Sequence, residues 1–212
     1  MARRTLILTT MTTTAALLLT ACGGGGKTDG IKGADKGSSS PSVTPSSDTG
    51  GPDMSLPGDL HVEFDAPQPS DARKAAALDN AKNYILALNH GIIAQNPNDP
   101  AYQYYSLGIA TQYAKNQIQA WMNGKWTATG TDSYFKVRTD GVGTTGGVLV
   151  TMCRDQSKFY GKNVETKKIK YTQPSLADYQ EYRLLMSPPK GSQKLWKVLQ
   201  IQVQGQVKGC QR

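Results

Sequence analysis

Three thiols and two imidazoles are the first groups in this sequence that could do chemistry: Cys22, Cys153 and Cys210, with His61 and His90. Zinc needs about four such ligands at short, paired spacings, and neither histidine lies at ligand spacing from a cysteine, so no metal site is expected. The run Gly141-Val142-Gly143-Thr144-Thr145-Gly146 spells G-x-G-x-x-G. In a dinucleotide fold those glycines let a pyrophosphate approach a helix N-terminus, but Val148 to Met152 after them is strand-like, so they read as a hairpin turn. Lys167, Lys168 and Lys170, with Lys158 and Lys162 nearby, make the most basic stretch and a candidate contact for anionic partners. No cofactor is implied by any of these groups.

The surroundings of Cys22 set its chemistry apart. Arg3 and Arg4 precede an apolar run over 6–19, too short to span a bilayer core of roughly 30 Å, and Thr20 and Ala21 then lead into the cysteine. This is the form of a signal peptide over 1–21, and Leu19-Thr20-Ala21-Cys22 resembles the bacterial lipobox, in which the thiol is acylated before cleavage. Cys22 is therefore expected to be the lipidated mature N-terminus, since several acyl chains at about 0.8 kcal/mol per buried CH₂ hold a protein on a membrane. The arginine pair fits either the general or the twin-arginine export route. With Cys22 acylated, Cys153 and Cys210 remain, and outside the cytoplasm an even remainder reads as a disulfide.

From 22 to 58 the chain is mostly Gly, Ser, Thr, Pro, Lys and Asp with scarcely an apolar residue, a composition that reads as a disordered tether spanning roughly 30 to 35 Å. The net charge is +8; setting aside Arg3, Arg4 and the three lysines and four aspartates of the tether leaves about +7 on the part over 59–212. Such an excess favours an anionic surface or wall polymer, while nucleic acid is not an expected partner of an exported chain.

Over 59–212 the pattern is a single α+β domain. After a short entry segment at 61–65, a helix is expected from Ser70 or Asp71 as cap to about 94, with Leu78, Ala81, Ile85, Leu88 and Ile92 on one face. A short helix should start at Pro100 after Asp99 and run to Tyr105. A third should run over 107–123, with Gly124 in the left-handed position that ends it. The period then falls to 2, giving strands over 126–138, 147–154, 177–186 and 194–207, with 156–175 a flap or excursion. The expected architecture is three N-terminal helices packed on a curved antiparallel sheet of about four strands, cone-like.

This order of elements resembles the nuclear transport factor 2-like family, and more narrowly its actinobacterial lipoproteins. The residues that carry the resemblance are the lipobox, the tether, Thr129-Gly130, Cys153-Arg154-Asp155, Gly161-Lys162, Trp196-Lys197-Val198 and the late Cys210. It implies the same Cys153–Cys210 pair. Enzymes of that fold keep a base and an opposed donor in a cavity, for which His90, Asp132 and Asp155 are the candidates here. Each has a simpler role, His90 as a solvent-facing or capping residue and the aspartates in turns or on the surface. Tyr84, Tyr113, Trp121 and Trp126 are the expected lining of a ligand cavity. The function expected is a membrane-anchored extracytoplasmic lipoprotein that binds an apolar ligand, an envelope protein or an anionic polymer without catalysis. The alternative is an enzyme of cyclase or isomerase type acting on a small apolar substrate.

Overall fold

The computed structural model describes residues 51–143, 146–192 and 194–212. The segments expected to serve as export signal and tether, with Cys22 between them, lie outside the described residues as far as residue 50. Packing reaches back to Met54, which is buried in the main core.

The first element is a strand, β1 (Leu60–Phe64), in which Leu60 and Val62 point into the core and His61 and Glu63 out. Then come α1 (Ala72–Ile93), α2 (Pro100–Tyr105) and α3 (Gly108–Asn123). Asp71 caps α1 by accepting the backbone N–H groups of Arg73 and Lys74, each at 2.9 Å. Asp99 caps α2 through the Ala101 N–H at 2.8 Å, ahead of Pro100 at the first helical position. At the end of α3 the left-handed residue is Lys125 (φ 58°), not Gly124, whose φ is −77°. Gly124 is needed there for space, because a Cβ on it would stand 2.7 Å from Trp126 Cδ1.

The remaining strands are β2 (Trp126–Val142), β3 (Gly147–Asn163), β4 (Ile169–Lys170), β5 (Tyr179–Ser187) and β6 (Lys197–Gln204). The sheet corrects the expected architecture in two ways. It has six strands in the order β1-β2-β3-β5-β6, with β4 on β3, and it is mixed, because β1 pairs with β2 in parallel. Nor are the helices N-terminal to the sheet, since β1 precedes them. The physical reason is the length of β2, whose 17 residues would leave a bare edge; β1 covers it from Gly130 to Tyr134, and the three helices form the crossover that a parallel pair requires.

The Gly-rich stretch after β2 does serve a hairpin, with Val142 opposite Gly147. The segment expected as a flap divides: its first part continues β3 to Asn163, and β4 folds back on it, Ile169 facing Lys162. Two irregularities interrupt the β2–β3 pairing, between Thr131 and Ser133 and between Phe135 and Arg138. At the first, β3 has one residue extra; Arg154 and Gln156 point inward before it and Phe159 after it. At the second the extra residue is on β2, so Tyr134 and then Val137 face the core.

Helices α1 and α3 cover the inner face, where Ala77, Leu78, Tyr84 and Ile85 meet Val150, Met152, Leu184 and Met186. Gly91 lets the two helices approach, as a Cβ there would fall 2.4 Å from Ile118 Cδ1. On the outer face a small cluster of Phe135, Cys153 and Cys210 surrounds the Cys153–Cys210 disulfide, whose Cα atoms are 5.3 Å apart. Among the described residues no helix is long and apolar enough to cross a membrane.

Candidate functional site

Between α1, α3 and the inner face of β2, β3, β5 and β6 lies a cavity of about 370 Å³. Helix α1 contributes Leu88, Asn89 and Ile92. Tyr113, Gln117 and Trp121 recur every fourth residue along α3, so they share one stripe and reach the cavity together. The neighbouring stripe, Ala110, Ala114 and Ile118, is fully buried in the core. The sheet supplies Tyr134, Arg154, Gln156, Phe159, Gln180, Tyr182 and Val203.

The centre of this wall is an ion pair. Arg154 donates through Nε to Asp132 Oδ1 at 2.5 Å and through Nη2 to Oδ2 at 3.0 Å. Its Nη1 donates to the Tyr182 hydroxyl at 3.2 Å and to Gln180 Oε1 at 3.3 Å. Asp132 is fully buried and the Arg154 side chain is 11% exposed. The guanidinium lies over the Phe159 ring at 4.9 Å, with the Tyr182 and Tyr134 rings at 5.7 and 5.9 Å. Burial works against the charge of Arg154, yet the Asp132 carboxylate and the two tyrosines outweigh it and hold its pKa well above the ordinary value. Tyr134 donates to Asp132 Oδ2 at 3.0 Å, so that oxygen accepts twice. Burial raises the pKa of Tyr134, and burial with the adjacent Tyr182 hydroxyl raises that of Tyr113, so both phenols stay protonated at neutral pH.

Amides complete the lining. Gln180 accepts from Arg154; Gln156 Nε2 donates to Ala177 O at 3.3 Å, and Asn89 Nδ2 to Ile85 O at 3.1 Å. No carboxylate or imidazole is among the lining residues.

No family model matches this chain, and no curated protein matches it. Among solved structures, the intermembrane space region of the chloroplast protein ARC6 is similar over 60% of this chain and 95% of its own, with 12% identity and a TM-score of 0.37. A likeness of that size carries no argument about fold or function.

Of the four aromatic residues expected at a cavity, Tyr113 and Trp121 line it. Tyr84 is buried beneath it and donates its hydroxyl to Ala110 O at 2.7 Å, while Trp126 packs beside Gly124 and Gly161. Arg154 stands in the Cys153-Arg154-Asp155 motif without being expected at a cavity, and neither the three glutamines nor Asn89 is expected there from the sequence. Asp132, expected in a turn or on the surface, is instead buried, because it shares the inner face with Tyr134 and the β2–β3 register sets Tyr134 opposite Arg154. His90 places Nδ1 3.0 Å from Asp99 Oδ2 and so ties the end of α1 to the cap of α2, with no part in the cavity. Asp155 accepts the Ser157 N–H at 2.9 Å within the β3 irregularity. Lys167, Lys168 and Lys170 are exposed around the turn into β4, away from these groups. Lys167 donates to Val164 O at 2.7 Å, and Lys162 pairs with Asp59.

A second hollow of about 460 Å³ lies by the disulfide, lined by Lys136, Arg138 and Glu181 among others. It is the larger of the two, but Lys136 is already committed to Gly209 O at 2.8 Å and no aromatic side chain lines it. The convergence of polar groups is in the cavity under the helices.

Proposed function

We propose that this chain is an extracytoplasmic lipoprotein of nuclear transport factor 2-like ancestry, anchored through Cys22, which binds a small molecule without transforming it. The cavity around Arg154 carries the reading: aromatic and aliphatic side chains, amides and hydroxyls that converge on one space, and a size within the roughly 300–1,000 Å³ of small-ligand sites are what a binding module needs. The anchor rests on the residues around Cys22. The tether and the charge near +7 suit a domain kept close to an anionic envelope surface, with Lys167, Lys168 and Lys170 as an exposed basic group.

The enzyme alternative needs a base free to take a proton from a substrate. Asp132 is the carboxylate bonded to the cavity's Arg154 and Tyr134; both of its oxygens are taken by Arg154, one of them also by Tyr134. That commitment argues for binding over proton abstraction.

Mass spectrometry of the mature protein from membranes tests the anchor: an acylated Cys22 at the N-terminus is expected, and an unmodified cysteine or cleavage elsewhere removes it. For the cavity, small-molecule fragments are screened by NMR against the mature protein in detergent. Shifts gathered on the side-chain amides of Asn89, Gln117, Gln156 and Gln180 are expected; hits confined to other surfaces would overturn the reading.

A further inference from the structure

We propose that the cavity takes a neutral, hydroxyl-bearing ring, a sugar residue stacked against Trp121; this deepens the binding reading above and rests on it. Charge is the first ground. Arg154 is the one ionic residue in the lining, and Asp132 meets it with two parallel hydrogen bonds, so the wall has a cation's donors but no net charge to offer. An anionic ligand would find its counter-charge already taken, and a cationic ligand would face the guanidinium with no carboxylate in reach.

The second ground is the kind of polar group. Asn89, Gln117, Gln156 and Gln180 put four amides around one small space. An amide carries donors and an acceptor side by side, and a hydroxyl is donor and acceptor at once, so the two satisfy one another in either direction. The commitments of these amides leave complementary groups over. Gln180 uses its oxygen on Arg154 and keeps its NH₂; Gln156 uses its NH₂ on Ala177 and keeps its oxygen. Gln117 makes no hydrogen bond to any described residue, and it sits half-buried one helical turn from Trp121. A purely apolar ligand would strip water from these groups and return nothing.

The third ground is the platform. Trp121 is half-buried at the cavity wall, held edge-to-face by Phe159 with ring centroids 5.7 Å apart. An indole fixed in this way presents π-density to the C–H face of a sugar ring, while the ring's hydroxyls point outward to the amides. Tyr113 and Tyr182 add hydroxyls of their own, and the volume of about 370 Å³ is on the scale of a single ring with its substituents.

The test uses the mature protein in detergent and follows tryptophan fluorescence and side-chain amide shifts. The probes are N-acetylglucosamine and glucose as neutral rings, glucuronate as an anionic ring, glucosamine at pH 6 as a cationic one, and 1-naphthol as an apolar ring. Saturable binding of a neutral sugar is expected, at least tenfold tighter than glucuronate or glucosamine. It should weaken tenfold or more in Trp121→Ala and several-fold in Gln117→Ala, which removes a side chain with no internal bonds and should leave the thermal midpoint unchanged. Trp121→Phe assigns the fluorescence signal against Trp126 and Trp196. If only 1-naphthol or glucuronate binds at these amides, the cavity is a binding site but the ligand class is wrong. If no probe moves these amides, the sugar proposal falls, and fragment hits at the same amides decide separately whether the cavity reading survives. Sugar binding that is indifferent to both Trp121→Ala and Gln117→Ala overturns the site.

Discussion

Asp132 and Arg154 bring opposite charges out of water, and the structure compensates each in full: both carboxylate oxygens accept from the guanidinium and Tyr134 adds a third bond. Such a pair contributes little net stability against an apolar replacement, but losing one partner leaves the other charge buried alone. Asp132→Asn should therefore cost about 3 kcal/mol or more in urea unfolding. The double variant Asp132→Asn with Arg154→Met should cost clearly less than the sum of the single changes, because the second removes the charge that the first stranded. Simple additivity would mean that the two groups do not act as a unit. None of this was legible locally. A lone Asp in a β-prone run reads as surface, and only the register that sets Tyr134 opposite Arg154 makes it a core residue. The α3 stripe was half legible: Tyr113 and Trp121 are expected at a cavity as aromatic residues, and helical spacing allows either Gln117 or Ile118 on the face between them.

At the scale of elements, the long hairpin of β2 and β3 carries most of the site, and Gly130 marks a place where only one residue type fits. Its φ is +94°, and a Cβ there would lie 2.1 Å from the backbone oxygen of Lys158 on the facing strand. Backbone cannot move aside without opening the β2–β3 ladder next to the irregularity that turns Phe159 inward. Gly130→Ala should destabilise by about 2 kcal/mol or more, since both strain and clash must be relieved. Gly141→Ala, with nothing within 4 Å of its added Cβ, should stay within about 0.5 kcal/mol. Equal effects in thermal melts would show that φ and contact at Gly130 are not limiting. The strands expected over 177–186 and 194–207 start before β5 and β6 do, while the same irregularities explain why those expected over 126–138 and 147–154 are shorter than β2 and β3. Each reverses the inward parity, so alternation ceases to be visible near 131–138 and 155–159, and β3 seemed to end nine residues early. Helices suffer no such interruption; the Asp99 cap and the apolar stripe of α1 are readable directly, and the α1 cap is narrowed to Ser70 or Asp71. The opening strand was missed for another reason: five residues, even with Leu60, Val62 and Phe64 alternating, are too few to specify a strand until β2 supplies an edge to pair with.

In the whole molecule, the disulfide was the most legible feature, because it follows from counting thiols and needs no register. It joins Cys153 in the middle of β3 to Cys210 near the chain end, across 57 positions. The tail has other holds in the native state: Val207 N–H donates to Tyr179 O at 3.0 Å, Lys136 Nζ to Gly209 O at 2.8 Å, and Arg212 lies 3.8 Å from the Phe135 ring centroid. Replacing both cysteines should thus leave the folded structure nearly as it is, and the loss should arise in the unfolded chain, which regains the freedom of a loop of that length. The chain-entropy relation puts this at roughly 4 kcal/mol. An unfolded chain without the cross-link also exposes more surface, so the urea m-value should rise as the midpoint falls. The double variant Cys153→Ala with Cys210→Ala should then keep the near-ultraviolet spectrum of the parent at low urea while unfolding earlier and more steeply. A changed native spectrum with an unaltered m-value would instead place the effect of the bond in the folded packing around Phe135.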